Sequence, residues 1–159
     1  MIVVSDTSPI LSLALIGRLE LLRDLYGTIL IPEAVRSEIV ATKQSGAREI
    51  GSANWIVARP IEHDIVLKLL LREVDQGEAE AIGLALQSKA DVLLIDERKA
   101  RQLAAYLELG VVGLLDVLQE AKQRHLITSV KPILDDLIAR ARFRLSHKLY
   151  QRTLFTAGE

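Results

Sequence analysis

The feature that most limits how this chain can fold is an alternation. Short apolar runs rich in β-branched residues recur at 2–5, 28–31, 55–58, 92–95 and, more weakly, 110–112. Between them lie longer stretches of helical periodicity, near 8–24, 33–43, 62–72, 77–88 and 98–108. Three more helices are expected near 114–124, 130–142 and 146–155, after the last run. Gly17 should divide the first helix, Gly110 should close the fifth, and Pro32 suits the start of the second. Strands that are apolar almost throughout are buried on both faces, which is the mark of a parallel sheet covered by helices. The expected fold is therefore α/β: a three-layer α/β/α arrangement around a central, mostly parallel sheet of about five strands.

Sheets of this kind bind ligands at the carboxyl ends of their strands, at a switch in strand order. Asp6 stands at such an end, after Ile2-Val3-Val4-Ser5, and Asp96 follows Val92-Leu93-Leu94-Ile95 in the same way. Asp6 has two readings. It is either a turn residue before a helix opened by Thr7, Ser8 and Pro9, where negative charge is favoured, or half of a pair of strand-end acids. Two further acids belong to neighbouring helices. Glu38 lies beside the stripe formed by Val35 and Ile39, and Glu78 shares a face with Ile82 and Ala85. Glu78 is also explicable as a solvated first-turn acid. Glu33 is expected to complement the helix dipole, and Glu80 to face solvent.

Gathered in one pocket, Asp6, Glu38, Glu78 and Asp96 would repel one another and raise their pKa values unless a cation neutralised them. Hard oxygen donors select Mg²⁺ or Mn²⁺, and such an ion activates water against a phosphodiester. The three histidines, His63, His125 and His147, are scattered, and cysteine is absent, so neither a zinc site nor a thiol nucleophile is expected. Charge is unevenly spread: residues 1–97 carry 9 Lys/Arg against 15 Asp/Glu, and residues 98–159 carry 11 against 6. An acidic part that binds metal and a basic part that binds phosphate would account for that split. Arg98, Lys99 and Arg101 open the helix after Asp96 and are the candidate phosphate contacts; a solvated helix face is the other reading. Aromatic residues make up only 4%, which argues against base stacking as the main basis of binding.

Four motifs in order make the chain resemble PIN-domain proteins, in the branch of VapC-type toxin ribonucleases. They are Val4-Ser5-Asp6-Thr7-Ser8-Pro9-Ile10, Ile31-Pro32-Glu33-Ala34-Val35-Arg36-Ser37-Glu38, Gly77-Glu78-Ala79-Glu80-Ala81-Ile82 and Leu94-Ile95-Asp96-Glu97-Arg98-Lys99-Ala100-Arg101. The similarity runs from residue 2 to about 126 and more loosely to the end. It implies a PIN-like fold and metal-dependent cleavage of single-stranded or structured RNA. It also implies catalysis by Asp6, Glu38, Glu78 and Asp96, a metal held by Asp6, Glu78 and Asp96, and restraint by an antitoxin. The chain departs from the family pattern twice. Arg98 stands where many PIN nucleases carry another acid, and Glu78 stands where many have Asp.

Two rival readings differ in chemistry. Receiver domains need an acidic pair after the first strand, and haloacid-dehalogenase phosphatases need Asp-x-Asp; Asp6 is followed by Thr7 and Ser8, so both fail. A catalytically silent PIN-like module that binds RNA or protein is the alternative. No linker divides the sequence, so residues 1–159 are read as one domain. The N-terminus lacks a basic secretory region, and no apolar stretch approaches the ~20 residues of a membrane span; a cytoplasmic protein is expected. The segment 114–137 is rich in Leu, Val and Ile, and apolar helix faces of this kind mark interfaces, so a homodimer is expected through the C-terminal helices.

Overall fold

The computed structural model describes residues 1–159. Five strands form the sheet: β1 (Val3–Ser5), β2 (Ile29–Pro32), β3 (Ile56–Arg59), β4 (Val92–Leu94) and β5 (Val111–Val112). Their order is β3-β2-β1-β4-β5 and every pairing is parallel. The register sets Val4 beside Leu30 on one side, and Val3, Val4 and Ser5 beside Val92, Leu93 and Leu94 on the other. Strand order reverses between β1 and β4, so the switch point lies where Asp6 and Asp96 leave the sheet.

Successive strand residues enter different cores, as the two-residue period of a strand requires. Val3, Ile29, Ile31 and Leu94 join a cluster of 25 buried residues, whereas Val4, Leu93 and Ile95 join a second cluster of 12. Two helices from the second cluster's face are α5 (Ile65–Leu70) and α6 (Gln76–Gln87), and α7 (Arg98–Tyr106) completes it. The larger core takes α1 (Thr7–Leu15), α2 (Glu20–Tyr26), α3 (Glu33–Ala41) and a short α4 (Ala47–Ser52). It also takes α8 (Leu114–Gln123), α9 (Lys131–Arg140) and α10 (His147–Thr156). No helix is long and apolar enough to cross a membrane.

Several expectations change at this level. Gly17 does part α1 from α2, with the positive φ of 71° that glycine tolerates. Pro32 closes β2 and caps α3 rather than opening it. The helix α4 has no counterpart in the sequence reading. The apolar residues of 114–137 are not an uncovered face: Leu114, Val117, Leu118, Val130, Ile133, Leu134 and Leu137 are buried in the chain's own larger core. That burial removes the reason for assigning the segment to an interface. Glu80 is also corrected, since it is buried at 6% exposure. Its carboxylate accepts from the Ala34 amide at 3.2 Å and from Gln76 Nε2 at 2.9 Å, which ties α6 to the first turn of α3. A helix N-terminus offers free amides and positive charge, and this satisfies an acid that the helical wheel alone sends outward.

Candidate metal centre

Each candidate acid is placed by a different element. The Asp6 amide donates to the Leu94 carbonyl at 2.9 Å, which pins the residue across the switch point, while its own side chain stays buried before α1. Asp96 leaves β4 and meets the start of α8. There the Leu114 amide donates to Asp96 Oδ1 at 2.9 Å, an N-terminal helix amide answering a carboxylate. Gly113, which caps α8, has no room for a side chain: a Cβ would sit 3.0 Å from Asp96 Oδ1 and run into the Arg101 guanidinium.

Glu38 lies on α3 and accepts through Oε2 from the Thr7 hydroxyl at the start of α1. It also rests against Gly77 of α6, where a Cβ would collide with its carboxylate. Glycine at 77 is thus the space in which Glu38 sits. Glu78 belongs to a capping box. Its amide donates to Asp75 Oδ1 at 2.8 Å, and its Oε2 accepts from the Asp75 amide at 3.2 Å.

Asp6, Glu38, Glu78 and Asp96 line one cleft of about 570 Å³, together with Asp75 and Glu97. They do so without closing into a ready-made cage of three coordinating side chains. Glu97 caps α7 by accepting from the Ala100 amide at 2.8 Å. Burial, reinforced by the charges of Glu78, Asp75 and Glu38, pushes the Asp6 carboxyl up to about 7 against the hydrogen bond from Thr7. Burial, then the charge of Asp75, pushes Glu78 up to about 7 as well. Asp96 is also raised by burial, opposed by the Leu114 amide and the Arg101 charge.

The residues fit a divalent cation on one observation in particular. Asp96 Oδ1 is occupied by the Leu114 amide, but Oδ2 is buried with no hydrogen-bond partner. A buried carboxylate oxygen without a donor is costly, and a hard cation between it and the protonatable carboxylates of Asp6 and Glu78 would satisfy it. The donor set is all oxygen, which suits Mg²⁺ or Mn²⁺.

The basic residues divide. Arg98 and Arg101 border a second cavity of about 490 Å³ that shares the Asp96 wall. Arg101 is largely committed to structure: Nη1 donates to the Ile95 carbonyl at 3.1 Å and Nη2 lies 3.9 Å from Asp116. Lys99 pairs with Glu73 at 3.2 Å and lines neither cavity. Sequence reasoning missed Arg142, Phe143 and Arg144, which line the acid cleft from the link between α9 and α10. Their run of alternating arginines carries no periodic signal that would bring it to a site 46 residues after Asp96.

The structure is similar to that of a PilT N-terminus domain protein from the hyperthermophilic archaeon Sulfolobus solfataricus P2. The TM-score is 0.60 at 17% identity, covering 76% of this chain and 93% of that one, a likeness that concerns the fold alone. No curated protein matches the sequence. The family model described as DUF3368, PIN domain, matches residues 2–159. The chain belongs to the PIN-domain family, whose members are generally nucleases.

Proposed function

We propose that this protein is a Mg²⁺- or Mn²⁺-dependent endoribonuclease that cleaves single-stranded or structured RNA. The observation that carries the reading is the unpartnered, buried Oδ2 of Asp96 in a cleft shared with Asp6 and Glu78. These three residues would hold the ion. When bound, it supplies positive charge for the phosphate oxygens and a water of lowered pKa. The chain's own groups do the rest. Asp6 and Glu78 give up their protons to become ligands. Glu38 is exposed and oriented through Oε2 by Thr7; its Oε1 is free to accept the proton of the attacking water. As the water oxygen bonds to phosphorus, the bond to the leaving ribose oxygen breaks, and solvent protonates that oxygen.

The preference for RNA, the toxin role and an antitoxin partner follow from the resemblance to VapC-type proteins. A homodimer, expected from the apolar C-terminal helices, would now use Ile138 and Phe155, which remain exposed on α9 and α10; light scattering reports it. The silent-module alternative draws on the capping box, which already engages Glu78 Oε2.

Labelled single-stranded RNA and DNA of one sequence, incubated with the purified protein, decide between these readings. Mn²⁺ should produce RNA fragments and EDTA should abolish them. Asp6→Asn should cut more slowly by more than the roughly 10- to 100-fold that loss of a residue merely supporting a metal ligand costs. RNA left intact with every divalent ion would sink the nuclease reading.

A further inference from the structure

The two ends of the acid cleft differ in charge. Toward α3, the adjoining cavity contains Glu33, Glu38 and Glu80 and no lysine or arginine in its wall, although Glu33 pairs with Arg36 at 3.7 Å. Toward α7, the other adjoining cavity contains Arg98, Arg101 and Arg144 against Asp96 and Asp116, with Asp116 facing Arg101 at 3.9 Å, and Arg142 stands on the acid cleft itself. Arg98, Arg142 and Arg144 are exposed and take part in no ion pair. A polyanion emerging from the cleft is repelled at the first end and attracted at the second.

The link that carries two of these arginines has a set shape. Arg142 adopts a left-handed φ of 55° just past the end of α9, and the Phe143 amide donates to the Leu137 carbonyl at 3.0 Å. Phe143 packs partly on the larger core and lines both cavities with the rest of its side chain. A backbone so anchored adds no loop ordering to the rotamer freedom its arginines lose when they meet a ligand.

We infer that a single RNA strand is gripped on one side of the acid cleft only. The nucleotides on that side enter the cavity between α7 and residues 141–145. There Arg98 and Arg144 hold phosphates, Arg142 holds one beside them on the acid cleft, and Phe143 stacks on a base. This rests on the nuclease reading of the same cleft and adds to it the path and the footprint of the substrate.

Binding can be measured apart from cleavage, by fluorescence anisotropy of labelled single-stranded RNA on the Asp6→Asn protein in EDTA. Adding Arg142→Ala and Arg144→Ala together should weaken binding at least 10-fold and flatten its dependence on salt by about two phosphate contacts. Arg142→Lys with Arg144→Lys should restore most of the affinity. Phe143→Leu, which keeps an apolar side chain on the core, should weaken binding about 5- to 100-fold with the salt dependence unchanged. Arg48→Ala, on α4, should change nothing, and melting curves confirm that each variant is folded. With Mn²⁺ and the unmutated protein, trimming nucleotides on one side of the cut should raise KM and trimming the other side should not. If RNA is left uncut but the arginine variant loses binding, the path stands and the nuclease reading falls. Unchanged affinity and salt dependence in the folded arginine variant, or equal costs of trimming on both sides, would overturn the path even where RNA is cut.

Discussion

Without metal, the protein should lose stability as pH rises from about 4 to above 7, and Asp6→Asn should remove a large share of that loss. Asp6 has its carboxyl raised from 3.8 to about 7, mainly by burial. A folded-state pKa above the unfolded one means that the native state holds the proton more tightly. The stabilisation is therefore complete below the unfolded value and disappears as pH climbs through the folded one. A shift of that size corresponds to at most about 4 kcal/mol, or of order 10 °C in melting temperature for a domain of this size. Glu78, raised to about 7, acts in the same direction. At pH 8 the metal-free Asp6→Asn variant should melt above the unmutated protein, and near pH 4 the two should converge. Mn²⁺ at a hundred-fold excess over Kd should recover about 2.7 kcal/mol in the unmutated protein and much less in the variant. Thermal melts across pH, with EDTA and with Mn²⁺, measure all of this. A flat profile, or equal metal-induced shifts in both proteins, would leave Asp6 as a turn residue and no more.

The second large effect is expected at a residue with no polar side chain. Gly77→Ala should improve the helix, because alanine is favoured over glycine there by up to about 1 kcal/mol. The new methyl would, however, occupy the place of the Glu38 carboxylate. Glu38 is exposed and flexible enough to swing aside, so the fold should survive with an unchanged or higher melting temperature. Its bond from Thr7 would be lost, and cleavage should fall about 10- to 100-fold, the usual cost of misorienting a group at a metal site. A double-mutant cycle identifies the route. If Gly77→Ala acts through Glu38, it should do little more damage to a Glu38→Ala protein. Independent, additive losses would contradict the assigned role of Gly77.

The sheet was legible because parallel strands buried on both faces leave uninterrupted apolar runs, and all five lie within a residue or two of their expected positions. Asp6 and Asp96 were legible for the same reason, since a strand that is visible has a visible end. What escaped the sequence depends on contacts between elements. Glu80 is read as exposed from its own helix, and the amide of Ala34 on another helix, together with Gln76, makes its burial tolerable. Gly77 reads as one small residue among many until Glu38 is found against it. The apolar positions of α8 and α9 mark a buried face equally well whether that face meets a second copy or the chain's own sheet. Residues 142–144 reach the cleft through the path of the chain after α9, which no local pattern encodes. The short α4 follows a polar stretch with little periodicity, so its one buried residue, Ile50, left no repeat to detect.

The strand order also has a consequence in time. Asp6 leaves the ribosome some 90 residues before Asp96, at the end of its sheet neighbour β4, and Arg142 follows later still. At about 5–20 residues per second, roughly 5 to 18 s separate the synthesis of the two strand-end acids. A nascent chain therefore holds one half of its cleft for many seconds without the other. The cleft can be completed only once β4 has joined the sheet beside β1 and residues 142–144 have followed it out.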